Sequence, residues 1–363
     1  RVAFQTGDVL LQLGRYDGAL AALDDAVSRA YRSEAPAQEQ ARYLSRRATL
    51  YRLRGDLREA AADFGAALER LGAVPDPEGA FWQARVEDER ALFSLACGDF
   101  ESAIFALSEN ARVFASYAAA SGVDASYRLL RGQLHLALAY GLRGLRQPYR
   151  LPLGRAASGD AADLGQAERL LKEVLEQLGH QRRGGLALQG LQREALHAAS
   201  FLALEPETGL RHAEAALELS RFSAQRALSL CFRSAARLRL GDAGGAGADA
   251  REAAASLASL RGPHERGNLA CLAWQQSLEM SAALGAGEGE RAVALLAASL
   301  AEPDLAPHHA EVLRRFGEAL EERDTPELRR ALERLLGPLD PQLRPPDALV
   351  RAAQGSSEPH REA

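Results

Sequence analysis

Apolar residues recur along this chain at helical spacing, and short polar turns interrupt them. After each turn comes an aromatic residue or Leu, then an Ala three residues later, then a large apolar residue four positions further on. Residues with these spacings lie on one face of an α-helix. The pattern therefore predicts amphipathic helices along most of the chain, and runs of β-branched residues that would favour strands are absent from the sequence.

Three copies of this unit follow one another near the start of the chain. They align at Ala19, Ala60 and Ala103, which lie 41 and 43 residues apart, and a Gly lies five residues before each Ala. A Gly at this point ends a helix at low cost because it tolerates a left-handed backbone. The small Ala lets two helices approach closely. A repeat of this length predicts stacked helical hairpins.

These copies resemble the tetratricopeptide repeat (TPR) family. The positions that carry the resemblance are Gly7, Leu10, Gly14, Tyr16, Ala19, Leu23 and Ala26 of the first copy, with their equivalents in the next two. The step exceeds the family's usual length of about 34 residues, and in this it resembles the lengthened repeats of bacterial sensors such as MalT-like regulators. The resemblance implies an all-α, right-handed α-solenoid superhelix whose first helices line a concave, ligand-binding face.

Four looser copies continue the series. Their Ala positions are Ala167, Ala213, Ala246 and Ala292. We therefore expect a solenoid over residues 1–336, made of about seven hairpins followed by two closing helices at 307–322 and 325–336. A Pro/Gly-rich tail is expected over 337–363. A loop inserted at 146–160 is either a tolerated surface insertion or a segment that folds over the groove. Because the chain starts inside a helix, we also expect a preceding segment in the full protein.

The composition of the chain argues against several classes of function. The net charge of −5 argues against a general nucleic-acid binder, and no apolar run is long enough to predict a membrane span. The three cysteines are far apart, without metal-binding or disulfide spacing, which predicts reduced, buried side chains in a cytoplasmic protein. A solenoid grows by adding repeats, so the chain length does not require several domains.

Catalytic signatures are missing from the sequence. Lys172 is the only lysine and lies within a helical segment, which excludes a phosphate-binding P-loop. The glycine-rich stretch over residues 241–247 follows no strand and falls at a predicted hairpin turn. We therefore expect no catalytic residue, no metal and no cofactor in this segment, and we predict that it is not an enzyme.

The concave face implied by the resemblance presents several arginines. The candidate partner-binding residues are Phe4, Asp8, Arg42, Arg46, Thr49, Arg85, Arg128, Arg131 and His135. Arg side chains suit carboxylates and phosphates, so the expected ligand is an acidic peptide or a small anionic molecule. The alternative is that these arginines pair with neighbouring acids such as Asp88 and Glu89.

The family's carboxylate clamp for chaperone C-termini provides a test. It requires Lys, Asn, Asn, Lys and Arg at positions that fall here on Phe4, Asp8, Arg46, Arg85 and Glu89. Only Arg85 keeps the required charge type, so we exclude that partner.

Two functions remain open. The first is a protein-protein interaction scaffold that binds a peptide or protein in the groove. The alternative is the ligand-sensing C-terminal domain of a larger bacterial regulator, in which ligand binding changes the curvature of the solenoid. Trp274 is either a groove anchor or a core residue, and association of two copies through the open ends of the solenoid is also expected.

Overall fold

The computed structural model describes residues 1–13, 15–72, 74, 78–121, 123–145, 160–180, 185–259, 269–302, 305, 309–321, 323, 325–339 and 345–355. Seventeen α-helices occupy most of these residues, and no strand occurs among them. The helices are α1 (Val2–Gln12), α2 (Tyr16–Arg32), α3 (Ala37–Arg54), α4 (Leu57–Leu71), α5 (Glu78–Cys97), α6 (Phe100–Ser121), α7 (Val123–Leu145), α8 (Ala161–His180), α9 (Leu186–Leu202), α10 (Pro206–Glu218), α11 (Ser223–Arg239), α12 (Ala243–Ala258), α13 (Leu269–Gly285), α14 (Gly289–Ala301), α15 (His309–Leu320), α16 (Pro326–Leu336) and α17 (Pro345–Gly355).

Helices α1 to α14 form seven successive antiparallel hairpins, and α15 to α17 close the array. Each first helix packs against the first helix of the next hairpin, in the series α1, α3, α5, α7, α9, α11, α13 and α15. Helix α13 also contacts α3, although four hairpins lie between theirs along the chain. The predicted all-α solenoid of about seven hairpins is confirmed.

The seven alanines predicted to mark the repeats occupy buried positions in the seven hairpins. All seven are completely buried: Ala19, Ala60, Ala103, Ala167, Ala213, Ala246 and Ala292. Gly55 and Gly98 end the preceding helices with φ angles of 86° and 81°, the left-handed conformation that Gly adopts at low cost. The equivalent Gly14 lies outside the described residues. The looser copies therefore use the same close helix approach as the regular ones.

Pairs of Arg and Asp connect the two helices of three hairpins. In each pair the guanidinium donates two hydrogen bonds of 2.6–2.9 Å to the carboxylate. The pairs are Arg47 with Asp63, Arg143 with Asp163, and Arg233 with Asp249. Arg47 also donates a hydrogen bond of 2.8 Å to Asp24, which links α3 to the preceding helix α2. Two-point pairing fixes the relative position of the helices as well as neutralising the charges.

The C-terminal part of the array contains one helix more than the sequence predicted. Helices α15 and α16 lie where two closing helices were predicted, but residues 337–363, predicted as a tail, contain α17. This helix packs against α15 and buries Leu349 completely. The apolar positions Ala348 and Leu349 face the array, and their burial favours a docked helix.

Replacement of Gly317 by Ala is expected to loosen α17. An added Cβ would lie 2.4 Å from the Cα atom of Pro346, so the α17 backbone would have to move away. Overpacking of this kind costs about 1–3 kcal/mol. We expect a lower midpoint of thermal unfolding and faster amide hydrogen exchange in α17. Gly190→Ala is the matched control, because a Cβ at Gly190 meets nothing within 4 Å. Unchanged exchange in α17 of the Gly317 variant would contradict the assignment of this close contact.

Two further expectations concern the three cysteines and Trp274. Cys231 and Cys271 are buried as predicted, but Cys97 is exposed because it is the last residue of α5 at the turn into α6. Trp274 belongs to the core: it is 2% exposed, and its ring lies edge-on to Phe232 at 4.9 Å.

The inserted loop predicted at 146–160 lies outside the described residues except for Asp160. The Asp160 carboxylate accepts a hydrogen bond of 2.9 Å from the backbone N–H of Ala162 and so caps α8. Of the described helices, none is both long enough and apolar enough to cross a membrane.

Candidate functional site

A cavity of about 1080 Å³ lies between the first helices of five hairpins, α1, α3, α5, α7 and α9. Eight of the nine predicted site residues line it: Phe4, Asp8, Arg42, Arg46, Thr49, Arg85, Arg128 and Arg131. The ninth, His135, is completely buried and does not line the cavity. The structure therefore brings together side chains that lie more than a hundred residues apart in the sequence.

Three arginines of the cavity lie over aromatic rings. The distances from the guanidinium carbon to the ring centroid are 4.6 Å for Arg42 on Phe4, 4.3 Å for Arg85 on Trp82 and 5.5 Å for Arg128 on Tyr127. Attraction between a cation and a ring face acts within about 6 Å. The rings restrict the arginine side chains, and the edge of a guanidinium is the part that binds a carboxylate.

Two other arginines of the cavity pair with acids of neighbouring helices. Arg46 of α3 pairs with Asp8 of α1, and the Arg131 Nη2 atom of α7 lies 2.5 Å from the Glu89 Oε1 atom of α5. The Thr49 hydroxyl donates a hydrogen bond of 3.3 Å to Glu89. The alternative raised by the sequence, that arginines of this face pair with local acids, therefore holds for these two.

The charge state of Glu89 is determined by its burial and by the cations around it. Burial raises the pKa of its carboxyl group, but the positive charges of Arg131, Arg46 and His135 outweigh burial and hold the pKa well below its ordinary value. Glu89 is therefore ionised at neutral pH and neutralises positive charge inside the cavity wall.

His135 belongs to a buried charged network behind the wall. Its Nδ1 atom lies 3.2 Å from the Asp88 Oδ1 atom, and its Nε2 atom lies 3.7 Å from the Glu194 Oε1 atom of α9. The Arg131 Nη1 atom lies 3.4 Å from the other oxygen of Asp88. Burial lowers the pKa of His135, but Asp88 and Glu194 raise it to about 9. His135 is thus a buried cation at neutral pH that links α5, α7 and α9.

This placement corrects the expectation that His135 belongs to the partner-binding face. It shares a helical stripe with Arg128 and Arg131, but lies one turn further along α7, where the side chain is enclosed by neighbouring helices. His135 therefore contacts Asp88 and Glu194 behind the cavity wall and not the cavity itself.

The charges of the cavity lining do not balance. Five arginines line it, against the three carboxylates of Asp8, Glu89 and Glu194. The lining therefore carries an excess of two positive charges, although the whole chain has a net charge of −5. A guanidinium stays protonated at neutral pH and therefore cannot act as a general base. The described residues also hold no cluster of three His, Cys, Asp or Glu side chains able to bind a metal. The arrangement is suited to binding an anion.

Several lining residues were not predicted. Helix α9 contributes Leu188 and Glu194, and α7 contributes Tyr127. The candidate residues predicted from the sequence came only from the first four copies, whereas α9 belongs to the fifth copy, where the repeat pattern is looser. Trp82 could have been found, since it lies three residues before Arg85 and so on the same helical face.

No protein-family description matches the sequence, and no curated protein is significantly similar to it. Solved structures with similarity to the chain include the TPR domain of P58(IPK), with 17% identity over 92% of this chain and 82% of that one, at a TM-score of 0.24. Yeast Tom70 has 16% identity over 93% of this chain and 76% of that one, at a TM-score of 0.26.

A third similar structure is Ton1535 from Thermococcus onnurineus NA1. It has 11% identity over 97% of this chain and 99% of that one, at a TM-score of 0.26. At such TM-scores the paths of the chains differ widely. The fold and the site of this protein are therefore defined by its own helix pairs and contacts.

Proposed function

We propose that this chain is a TPR-like interaction scaffold that binds an acidic peptide segment of a partner protein in the cavity of its concave face. The observation that carries the proposal is the excess of arginine over carboxylate in the lining, with Arg42, Arg85 and Arg128 each stacked on an aromatic ring. Arginines held in place before binding lose less side-chain freedom when a ligand arrives.

The dimensions of the cavity favour a peptide. It is bordered by helices of five hairpins, and its volume of about 1080 Å³ is at the upper end of typical small-molecule sites. The lining contains apolar side chains such as Val86 and Leu188 as well as the arginines. Such a surface offers both charged and apolar contacts to an extended chain.

The binding test uses a fluorescently labelled peptide rich in Glu and measures fluorescence anisotropy. Replacing Arg42 or Arg85 by Ala is expected to weaken binding about tenfold each, because each removes a charge-assisted contact of about 1.4 kcal/mol. Arg29→Ala is the matched control: it removes the same charge from the exposed surface of α2, where Arg29 pairs with Asp25. Equal weakening by Arg29→Ala would show non-specific charge attraction and contradict a defined site.

The second candidate is a sensor domain for a small anionic molecule, as in MalT-like regulators. It is favoured by Glu194, which borders the cavity on α9 and interacts with His135 of α7. An anion close to Glu194 would change this contact and shift α9 relative to α7. A small dianion that raises the unfolding temperature at low concentration, without measurable affinity for acidic peptides, would favour this candidate.

A further inference from the structure

Three of the cavity arginines occupy the same position of successive repeats. Arg42, Arg85 and Arg128 are separated by 43 residues each and lie on α3, α5 and α7. All three line the same cavity, and all three lie over an aromatic ring. They form a ladder with one cationic side chain per hairpin, which we call the arginine ladder.

The spacing of the ladder follows from helix packing. Packed helices have axes about 8–10 Å apart, and α3 packs against α5, which packs against α7. Equivalent residues on these helices therefore repeat at about that distance. A ligand that uses all three arginines must present three anionic groups with a matching separation.

The conformation of a bound peptide determines which of its residues meet this requirement. In a β-strand, side chains on one side repeat every second residue, about 6.5–7 Å apart. In a polyproline II helix, they repeat every third residue, about 9.3 Å apart. Only the second repeat falls within the spacing of the ladder. Aromatic side chains, which are present here at each step, are also typical of surfaces that bind polyproline II segments.

We propose that the arginine ladder recognises a polyproline II segment with carboxylate side chains at positions i, i+3 and i+6, one for each arginine. This inference rests on the proposed function and specifies its ligand. Arg46 and Arg131 do not belong to the ladder, since the residues at the equivalent positions of α5 are the acids Glu89 and Asp88. Between its acidic residues, the partner can have any sequence that favours the polyproline II conformation. Pro favours it because the ring restricts the φ angle.

Two labelled peptides of equal composition and charge test the spacing. The first is Glu-Pro-Pro-Glu-Pro-Pro-Glu, and the second is Pro-Glu-Pro-Glu-Pro-Glu-Pro. The first is expected to bind at least about tenfold more tightly. Arg85→Ala should remove most of this preference, and Arg85→Lys should restore part of it, because Lys keeps the charge without the two-point geometry. Circular dichroism verifies that each variant is folded.

A double-mutant cycle locates the central contact. Replacing the central Glu of the first peptide by Gln should weaken binding to the unmodified protein about tenfold but have little effect on binding to the Arg85→Ala variant. Equal affinity of the unmodified protein for both peptides would overturn the proposed spacing and leave the acidic-peptide function intact. No binding of either peptide, or of any Glu-rich peptide, would overturn both.

Discussion

Replacement of Asp88 by Asn is expected to destabilise the protein by about 3–5 kcal/mol, the range observed when one partner of a buried ion pair is removed. Asp88 is 1% exposed, and its carboxylate lies between His135 and Arg131. Asn has nearly the same shape, so the loss reflects charge: two buried cations would lose their shared counter-ion. The readout is the midpoint of thermal unfolding.

The same variant has a predicted effect on the pH dependence of stability. The folded state raises the pKa of His135 from its ordinary value of 6.5 to about 9. The contribution of protonated His135 is therefore complete below pH 6.5, and it is lost as the pH rises towards 9. Without Asp88, burial dominates and the pKa of His135 falls, so this loss between pH 6.5 and 9 should largely disappear.

Asp25→Asn is the control for this experiment, because Asp25 forms a solvent-exposed pair with Arg29 within α2. It should leave the unfolding midpoint and its dependence on pH unchanged. An Asp88→Asn protein as stable as the unmodified one, with the same loss of stability between pH 6.5 and 9, would show that Asp88 does not hold the charge on His135.

Replacement of Phe64 by Ala is expected to cost about 3–5 kcal/mol, as for other large aromatic side chains removed from a core. Phe64 is 1% exposed in the core of the first two hairpins, and its ring lies 6.1 Å from that of Phe93. In a solenoid each repeat is stabilised mainly by its neighbours. Amide hydrogen exchange should therefore accelerate in α3 to α5 and remain slow in α14 to α16, which do not contact α3 or α4.

Phe105→Ala removes the same atoms from a surface position, since Phe105 on α6 is 71% exposed. It should change neither the unfolding temperature nor the pattern of exchange. If Phe64→Ala accelerated exchange equally along the whole chain, the array would unfold as one cooperative unit, and the expectation of local destabilisation would be wrong.

Much of the fold could be predicted because close packing of helices restricts certain positions. Ala103 and Ala292 are recognisable in the sequence because a larger side chain at either point would separate two helices. Gly55 and Gly98 are recognisable because the turn requires a left-handed backbone. These restrictions are local, so they could be read even in the looser copies. The resemblance to the TPR family, rather than these restrictions, placed Arg42, Arg85 and Arg128 on one face.

The sequence by itself determined the hairpins and their number, because helical periodicity and turn chemistry act over a few neighbouring residues. The arginine-rich face was predicted from the resemblance to the TPR family. Only the tertiary structure decided that Arg46 and Arg131 are neutralised, that His135 is enclosed, that α9 completes the cavity and that α17 docks on α15. These features depend on distances between side chains from separate helices. Such distances are determined by the relative positions of whole helices, which a pattern within a single helix does not specify.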